Sequence, residues 1–491
     1  MLLAIAAKAR PCHDATELSS TGPGCDSFML YPFFQEVTMF RPWCATARAR
    51  VGSRSFTFHA AVLALAASSF MIPASAQQSR RPAPGTLIIP SSNHLSAEEI
   101  GVKAHTNIRA VVPPDLRPSE LPPFAGYGFE TPASVACIHR LVQPIRGCNP
   151  NSTVNTPNGG SQSIAIVDAF DDPDAAADLA YFSSQFGLPF DAAKFKVVYA
   201  QGTKPPTDPS GGWELEEAAD IEWAHAMAPH AMLYLVEAKS DYDTDMYPAV
   251  QVAVNLVRCG KTSNCPTNAS GKGEISMSWG TGEYPTESSD DALFTGKNVV
   301  FLAATGDATG VIYPSASPNV IGVGGTSTAR SLNTGNLIQE IAWSDAGGGL
   351  SAYEATPSYQ SALPAYLTQG ARALPDVSAN ANPYNGYWEY DSYPLAGVSN
   401  SSNWWFVGGT SLSTPVWAGI INAASTVSGH FAASTKEELT TMYTEYANST
   451  TFHANFWDIT YGACNFYSGS FSVGGYDLCT GLGSPKGLGG K

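Results

Sequence analysis

The part of the chain beyond residue 160 alternates short apolar runs with helical patterns, which constrains its fold more than any other feature. Buried strands are predicted where the runs are continuously apolar, at residues 163–167, 196–199, 232–236, 274–278 and 298–303. Helices are predicted between them, at residues 173–186, 214–227 and 246–257. Apolar strands separated by helices indicate a parallel sheet covered on both faces. The predicted fold class is therefore α/β, a doubly wound, mostly parallel sheet.

Polar residues follow several of these strands at their carboxyl ends. Asp168 follows one strand, residues 278–280 (Ser-Trp-Gly) end another, and Gly306-Asp307 ends a third. Active sites of such sheets lie at the carboxyl ends of the strands. We therefore expect these residues to lie close to a common site.

The segment 408–415, Gly-Gly-Thr-Ser-Leu-Ser-Thr-Pro, places Ser411 at the start of an apolar helix. Gly408 and Gly409 allow a tight turn and a close backbone approach to a substrate, and Pro415 is expected in the first helical turn. Taken alone, such a motif is more often a helix cap than a nucleophile. The whole motif, followed by a buried helix, favours a nucleophilic serine.

Two carboxylates stand four residues apart on the predicted helix that begins near Trp213. Glu216 and Asp220 share one helical face, with Trp213 and Trp223 on the same side, so the carboxyls can share a proton. The alternative is a solvated acidic face, which is the more common structure for an isolated acidic helix. Glu217 competes with Glu216, but its spacing to Asp220 fits less well.

Asp307 lies between Gly306 and Ala308 in a predicted turn. Aspartate is common beside glycine in turns, so an ordinary turn residue is one explanation. The other is catalytic, because a protonated carboxyl can donate a hydrogen bond to a developing oxyanion. Asp307 could perform this function only at acidic pH, where its carboxyl is protonated.

Together these segments resemble the sedolisins, the serine-carboxyl peptidases, over roughly residues 160–485. The resemblance implies a subtilisin-like version of the predicted sheet and a serine-type endopeptidase. Ser411 would be the nucleophile and Glu216 the general base, while Asp220 orients Glu216 and protonated Asp307 stabilises the oxyanion. Carboxyl groups perform these functions at low pH, so the implied optimum is about pH 3–5.

The same resemblance implies further residues around the triad. Asp168 and Trp279 would extend the network beneath it. Ser278 and Gly280 would lie beside the backbone of a bound protein or peptide substrate, as an added strand does.

A calcium site is implied at the C-terminal end of the chain. Asp458 and Asp477 would supply carboxylates, and Ile459, Val473 and Gly475 would supply carbonyl oxygens, to one Ca²⁺ ion. Without the resemblance, a polar turn closed by a disulfide would be the preferred interpretation.

Two other functions are compatible with parts of the sequence. A subtilisin-like protease would combine Asp168 and Ser411 with His225 or His230, although neither histidine lies in a His-Gly-Thr context. Such a histidine-based triad would be active at alkaline pH. The second alternative is a catalytically silent secreted binding protein on the same fold.

Charge narrows the possible partners. The formal net charge is −16, and only 14% of residues are charged. Nucleic acid and anionic lipid both need basic surfaces, so neither is expected as a partner. The expected partners are protein or peptide substrates. The protein itself is expected to be a monomer.

The N-terminal region is predicted to be a leader. Four arginines precede an apolar run, and Ala74-Ser75-Ala76 gives a signal-peptidase pattern, so residues 1–76 are the expected signal region with cleavage after Ala76. Residues 1–38 would be a mis-assigned start if translation begins at Met39. Residues 77–158 are interpreted as a short pro-region or linker, and residues 159–491 as the peptidase domain of a secreted protein without a membrane span in its mature form.

Six cysteines remain after the predicted cleavage. Short sequence separations favour the pairs Cys137–Cys148, Cys259–Cys265 and Cys464–Cys479 in an oxidising compartment.

Overall fold

The computed structural model of the chain describes residues 85–114, 116, 120–123, 128–142, 147–259, 270–464 and 470–491. The predicted leader, its cleavage site at Ala76 and the alternative start at Met39 lie outside these residues, as does Cys265.

Helices and strands alternate along most of the described chain. The α-helices are α1 Pro132–Ile138, α2 Ala175–Phe186, α3 Gly212–Met227, α4 Asp243–Arg258, α5 Ala365–Thr368, α6 Thr410–Ser428, α7 Thr435–Tyr446 and α8 Ser449–Asn455. The strands are β1 Leu87–Ile88, β2 His105–Thr106, β3 Arg109–Val111, β4 Ser163–Ala169, β5 Phe195–Tyr199, β6 Met232–Ala238, β7 Gly273–Met277, β8 Trp279–Gly282, β9 Val299–Ala304, β10 Ile312–Tyr313, β11 Ile321–Arg330, β12 Leu337–Ala342, β13 Gly349–Ala355, β14 Ala371–Leu374, β15 Val377–Asn380, β16 Tyr387–Tyr390, β17 Trp404–Gly408, β18 Phe456–Trp457, β19 Ala463–Cys464, β20 Ser470–Phe471 and β21 Ser484–Pro485.

An eight-stranded sheet forms the centre of the fold. Its order is β12-β11-β9-β7-β4-β6-β5, and β15 also pairs with β11. Every pairing is parallel except that of β11 with β12. The α/β, doubly wound class predicted from the sequence is confirmed, and the five predicted strands correspond to β4, β5, β6, β7 and β9.

The sheet is buried on both faces, as its continuously apolar strands require. Along β4, Ile164 and Ile166 pack into one hydrophobic cluster with residues of α2, α3 and α6. Ala165 and Val167 point to the opposite face and pack into a second cluster with residues of α4. Because neighbouring side chains of a strand alternate between faces, a strand covered by helices on both sides must be apolar throughout.

The structure differs from the sequence interpretation over the segment assigned as a pro-region or linker. Within it, β2 pairs with β8, and β3 lies between β1 and β17. Ile108, Ala110 and Val112 are fully buried in the fold. Residues 85–112 are therefore part of the packed structure rather than a free linker, because β2 and β3 pair with strands that are distant in sequence, β8 and β17. Removal of the segment as a pro-region stays a prediction.

Two of the predicted disulfides are confirmed, Cys137–Cys148 and Cys464–Cys479. The third predicted pair includes Cys265 and so falls outside the described residues. Among the helices that the structure describes, none is long and apolar enough to span a membrane.

Candidate active site

The polar residues predicted to meet at the carboxyl edge of the sheet do so. Asp168 is the sixth residue of β4, Ser278 stands between β7 and β8, and Asp307 follows β9. Ser411 reaches the same edge from the beginning of α6 and makes hydrogen bonds with Ser278.

Ser411 is placed by a sharp transition from strand to helix. The chain leaves β17 through Gly409, whose φ of 116° lies in a region that favours glycine, and then enters α6 at Thr410. A Cβ atom at Gly409 would lie 2.7 Å from Oδ2 of Asp307. The glycine is therefore needed both for the turn and for the approach of Asp307 to the helix.

Pro415 lies in the second turn of α6, not in the first turn as the sequence suggested. A proline has no N–H to donate to the carbonyl four residues earlier, so the Ser411 carbonyl has no donor in the helix ladder. The hydroxyl oxygen of Ser278 lies 3.1 Å from that carbonyl, within hydrogen-bond distance. Ser278, predicted to be only a substrate-binding residue, thus also joins α6 to the carboxyl-bearing helix α3.

The five acidic residues of α3 are all buried, which rules out a solvated acidic face. Burial raises the pKa of Glu216 well above its usual range, and the carboxyl of Asp168 raises it further. The Ser411 side chain lies close enough to lower this pKa. Its hydroxyl nevertheless donates to the Ser278 carbonyl at 3.0 Å, and neither oxygen of Glu216 has a hydrogen-bond partner among the described residues. The Glu216 carboxyl thus lies near Ser411 with unused hydrogen-bonding capacity.

Asp220 lies one helical turn after Glu216 and accepts the Ser278 hydroxyl at 2.8 Å. Burial raises its pKa, and the carboxyls of Asp168 and Glu216 add to the effect. Burial also raises the pKa of Asp168 to about 8. The indole N–H of Trp279 donates to the carbonyl of Val167, the residue before Asp168, at 2.7 Å. The three carboxyls therefore form one cluster that retains protons.

Glu217, the competitor of Glu216, faces another part of the structure. Its carboxyl accepts the backbone N–H of Asp172 at 3.1 Å, and after burial the main influence on its pKa is Glu237. Glu216, by contrast, faces Ser411. The spacing argument that favoured Glu216 agrees with this geometry.

Asp307 is held against the first residue of α6. Its Oδ1 accepts the backbone N–H of Thr410 at 2.7 Å and the Thr410 hydroxyl at 3.0 Å. Burial raises the pKa of Asp307 to about 7, although Arg109 and Thr410 act to lower it. Oδ2 has no hydrogen-bond partner among the described residues, so a proton on it could be donated to a further group.

Sequence reasoning missed the residues that cover Ser411. The backbone N–H of Asn107 donates to Oγ of Ser411 at 3.2 Å, and the guanidinium of Arg109 lies 3.5 Å from Oδ2 of Asp307 and pairs with Asp345. In the sequence, the only indication that a backbone segment would pass close to Ser411 was the pair Gly408 and Gly409, which allow a close approach. Nothing in the pattern indicated that it would be the chain's own segment.

The two histidines of the alternative triad lie away from this cluster. His225 is near the end of α3, packs edge-on against Phe190, and has a pKa lowered by burial to about 4. His230 bonds the side chain of Asn158 at 2.7 Å. Neither makes a contact that would activate Ser411.

The residues assigned to calcium gather around one loop. The backbone N–H of Gly475 donates to both oxygens of Asp458, and that of Val473 donates to Oδ2 of Asp477. Ile459 is buried directly after Asp458. No basic side chain forms a salt bridge with either carboxylate in the described residues, nor do these contain a cluster of three or more metal-binding side chains. Carboxylates are ligands that a hard cation such as calcium takes.

Comparison with known proteins finds one matching family model and several related sequences. The subtilase family matches residues 218–462. Kumamolisin of Bacillus sp. (strain MN-32) is 29% identical over 363 residues, which are 67% of this chain and 59% of kumamolisin. Sedolisin of Pseudomonas sp. (strain 101) is 26% identical over 312 residues, 57% of this chain and 50% of sedolisin. The chain thus spans little more than half the length of these relatives.

Solved structures agree on the fold. Pseudomonas sedolisin, a serine-carboxyl proteinase, superposes with a TM-score of 0.57 and 22% identity, covering 74% of this chain and 96% of that protein. At this identity the match shows the subtilisin-like fold alone. Taken with the related sequences, it makes the chain similar to the sedolisins in both sequence and fold.

Proposed function

We propose that the chain is an acid-active serine-carboxyl endopeptidase that hydrolyses protein or peptide substrates. The observation that carries the proposal is a serine at a helix start, Ser411, beside a buried carboxyl cluster and without a contacting histidine in the described residues. The description of Pseudomonas sedolisin as a serine-carboxyl proteinase, and the related sequences of kumamolisin and sedolisin, support a serine-carboxyl peptidase.

In the proposed reaction, Ser411 is the nucleophile and Glu216 its general base. The Ser411 hydroxyl turns from the Ser278 carbonyl toward Glu216, whose oxygens are free to accept its proton. Glu216 later returns the proton to the leaving amine. Asp220, held by Ser278, orients Glu216 and shares a proton with it, and Asp168 keeps the pKa of both carboxyls high.

Protonated Asp307 would stabilise the tetrahedral intermediate. Its Oδ2 can donate a proton toward the space beside Gly409, where the backbone N–H of Ser411 points as well. Because burial raises the pKa of Asp307 to about 7, the carboxyl holds its proton throughout the acidic range.

The C-terminal loop is proposed to hold one calcium ion through Asp458, Asp477 and the carbonyls of Ile459, Val473 and Gly475. A bound ion would join the segment after β18 to the loop before β21 and stabilise both. We also propose that the protein is exported, which fits its two described disulfides. We further propose that it acts as a monomer.

The test is cleavage of an unfolded protein across pH 2–9 by the wild type and by Ser411→Ala. Activity confined to acid in the wild type and lost in the variant is expected. Alkaline activity would favour a histidine-based triad, and no cleavage by a folded, processed wild type would favour a binding protein.

A further inference from the structure

A strand of the four-stranded sheet β1-β3-β17-β16 lies along the helix that bears Glu216 and Asp220. This strand, β16, pairs with β17, the strand that precedes the nucleophile. The Tyr387 ring packs edge-on against Trp223 of α3, with 4.5 Å between the ring centroids, and the Trp223 indole N–H donates to the Trp388 carbonyl at 3.1 Å. These contacts fix β16 against α3.

The same packing brings one further carboxyl, that of Glu389, to this helix. Side chains two residues apart on a strand point to the same side, so Glu389 points with Tyr387 toward α3. On α3, Asp220 and Trp223 are three residues apart and share a face with Glu216. Because Tyr387 contacts Trp223, Glu389 faces the side of α3 that carries the proposed catalytic carboxyls.

The charged groups around Glu389 are carboxyls from several elements. Its neighbour across the sheet is the neutral Trp405. The acidic residues that act on it or respond to it are Glu216, Asp220 and Glu222 of α3, Asp391 after β16, Asp172 after β4 and Asp178 of α2. Among the described residues, no basic side chain forms a salt bridge with Glu389 or with any of these six. A charge on Glu389 is therefore not compensated by an ion pair.

Hydrogen-bond partners divide this group of carboxyls. Four of the six neighbours accept a backbone N–H at 2.7–3.1 Å: Asp172, Asp178, Glu222 and Asp391. Glu389 is fully buried, and neither of its oxygens has a partner in the part of the chain that the structure describes. Glu216 is in the same position. An N–H donor stabilises a carboxylate, so the four can hold a charge more readily than Glu389 or Glu216 can.

The electrostatics link these two carboxyls. Burial raises the pKa of Glu389 well above its usual range, and neighbouring carboxyls add to the effect. Burial is also the main cause that raises the pKa of Glu216, followed by the carboxyl of Asp168, and the carboxyls of Asp307 and Glu389 raise it further. Carboxyls that influence one another in this way lose their protons in steps that belong to the group.

We propose that Glu389 is a positioning residue of the peptidase, a further carboxyl that shares the protons of the cluster around Glu216 and so sets the pH at which Glu216 becomes available as a base. Glu389 acts through Glu216 rather than on the substrate. The inference rests on the proposed peptidase function and adds to it a residue outside the triad.

The direction of the effect follows from the repulsion of like charges. An ionised Glu389 disfavours a second charge on Glu216, so Glu216 keeps its proton to a higher pH than it would beside a neutral group. Glu216 must be ionised to accept the Ser411 proton and protonated to release it to the leaving amine, and a pKa near the working pH serves both steps. Glu389 therefore holds Glu216 in the range where both forms are populated.

The test is the pH profile of Glu389→Gln, which keeps the shape of the side chain but does not ionise. Its kcat/KM and that of the wild type are measured between pH 2 and 6 on a peptide that the wild type cleaves. The acid limb of this profile reports the ionisation of the base in the free enzyme, and we expect it to move to lower pH by about 0.5–1 unit in the variant. KM on the plateau should not change, because Glu389 does not bind the substrate.

Two further variants separate an effect on protons from an effect on packing. Glu274→Gln removes an equally buried carboxyl near the start of β7, at the opposite end of that strand from Ser278, and should leave the acid limb in place. Glu389→Asp keeps a carboxyl and should move the limb less than Glu389→Gln does. An equal shift in Glu274→Gln, or the same shift in both Glu389 variants, would contradict the inference. Thermal unfolding at pH 4 checks that all three variants fold.

The outcomes distinguish this inference from the proposed function. A wild type that cleaves the peptide in acid, with an unmoved acid limb in Glu389→Gln, would overturn the positioning role alone. So would a fall in kcat/KM that is uniform across the pH range, since that result assigns Glu389 a structural role. Absence of cleavage by the folded wild type at every pH would contradict the peptidase function, and with it the role of Glu389.

Discussion

Two buried carboxyl groups of this protein, those of Asp376 and Glu216, differ in their hydrogen-bond and ion-pair partners. In the core beside β14, Asp376 accepts hydrogen bonds from the Arg372 guanidinium at 2.7 Å, from the Tyr443 hydroxyl at 2.8 Å and from the Gly322 N–H at 2.8 Å. In α3, Glu216 is just as buried but has no cation and no hydrogen-bond donor among the described residues.

The difference shows that partners, not burial, decide what a buried carboxyl can do. Asp376 has a guanidinium to neutralise it and donors for both oxygens, so it can serve as a structural anion. Glu216 lies among other carboxyls, and burying a charge there without a partner is costly, so its pKa is raised and it shares the protons of the cluster with Asp220 and Asp168. A carboxyl that exchanges its proton is available for acid–base chemistry.

The largest expected effect comes from Glu216→Gln. The amide keeps the shape but cannot accept the Ser411 proton, so peptidase activity at pH 4 should fall roughly 10³- to 10⁴-fold. Thermal unfolding should change little, because no charged partner loses its pair. Activity within tenfold of the wild type, measured on an unfolded protein, would remove Glu216 from the mechanism.

Stability should fall as the pH rises. Burial raises the folded-state pKa of Asp307 from 3.8 to about 7 and that of Asp168 to about 8. The folded state therefore binds these protons more tightly, and the resulting stability is complete below about pH 4 and is lost as the pH rises through 7 to 8. For Asp307 alone the loss is at most about 4 kcal/mol.

Denaturant unfolding at pH 4, 6 and 8 measures this loss. Asp307→Asn, which removes one titrating carboxyl, should flatten the dependence. A free energy of unfolding that is constant or increases over this range would contradict the protonated cluster.

Removing Arg372, the cation that pairs with Asp376, should lower the free energy of unfolding. Arg372→Met leaves Asp376 buried without its guanidinium and should destabilise the fold by roughly 3–5 kcal/mol. The exposed Lys436→Met is the matched control, with an expected change within about 0.5 kcal/mol. Urea denaturation that gives similar values for both would show that Asp376 does not depend on Arg372.

The C-terminal loop offers a third case, two carboxylates that form no salt bridge in the described residues. If Asp458 and Asp477 hold calcium, EDTA should lower the Tm of the wild type by roughly 3 °C, the effect of losing an ion present at about 100 times its Kd from a fold of this size. Asp458→Asn should unfold at the lower temperature with or without EDTA, while exposed Glu98→Gln should behave as the wild type does. An EDTA-independent Tm in the wild type would speak against the site.

The sequence was informative where a regular pattern reports a physical requirement. Apolar strands alternating with helices predicted the sheet, and the carboxyl ends of those strands brought Asp168, Ser278 and Asp307 to one edge. Helical spacing predicted that Glu216 and Asp220 share a face.

Other features could not be predicted because their partners are distant in sequence and their elements are short. Asn107 and Ser411 are 304 residues apart, and β2 and β3 are two and three residues long, too short for a periodic pattern. The second-turn position of Pro415 depends on where α6 begins. The burial of all five acidic residues of α3 depends on the helices and strands packed around it, which local sequence does not report.

The most direct test of the central claim is the rate at which a serine-directed covalent inhibitor, a peptidyl fluorophosphonate, modifies Ser411 between pH 2 and 9. The processed wild type, Glu216→Gln and His225→Ala are compared, with the modified residue located by mass spectrometry. The carboxyl mechanism predicts acid-confined modification that is lost in Glu216→Gln and unchanged in His225→Ala. Modification at neutral or alkaline pH that survives Glu216→Gln and is lost in His225→Ala would contradict it.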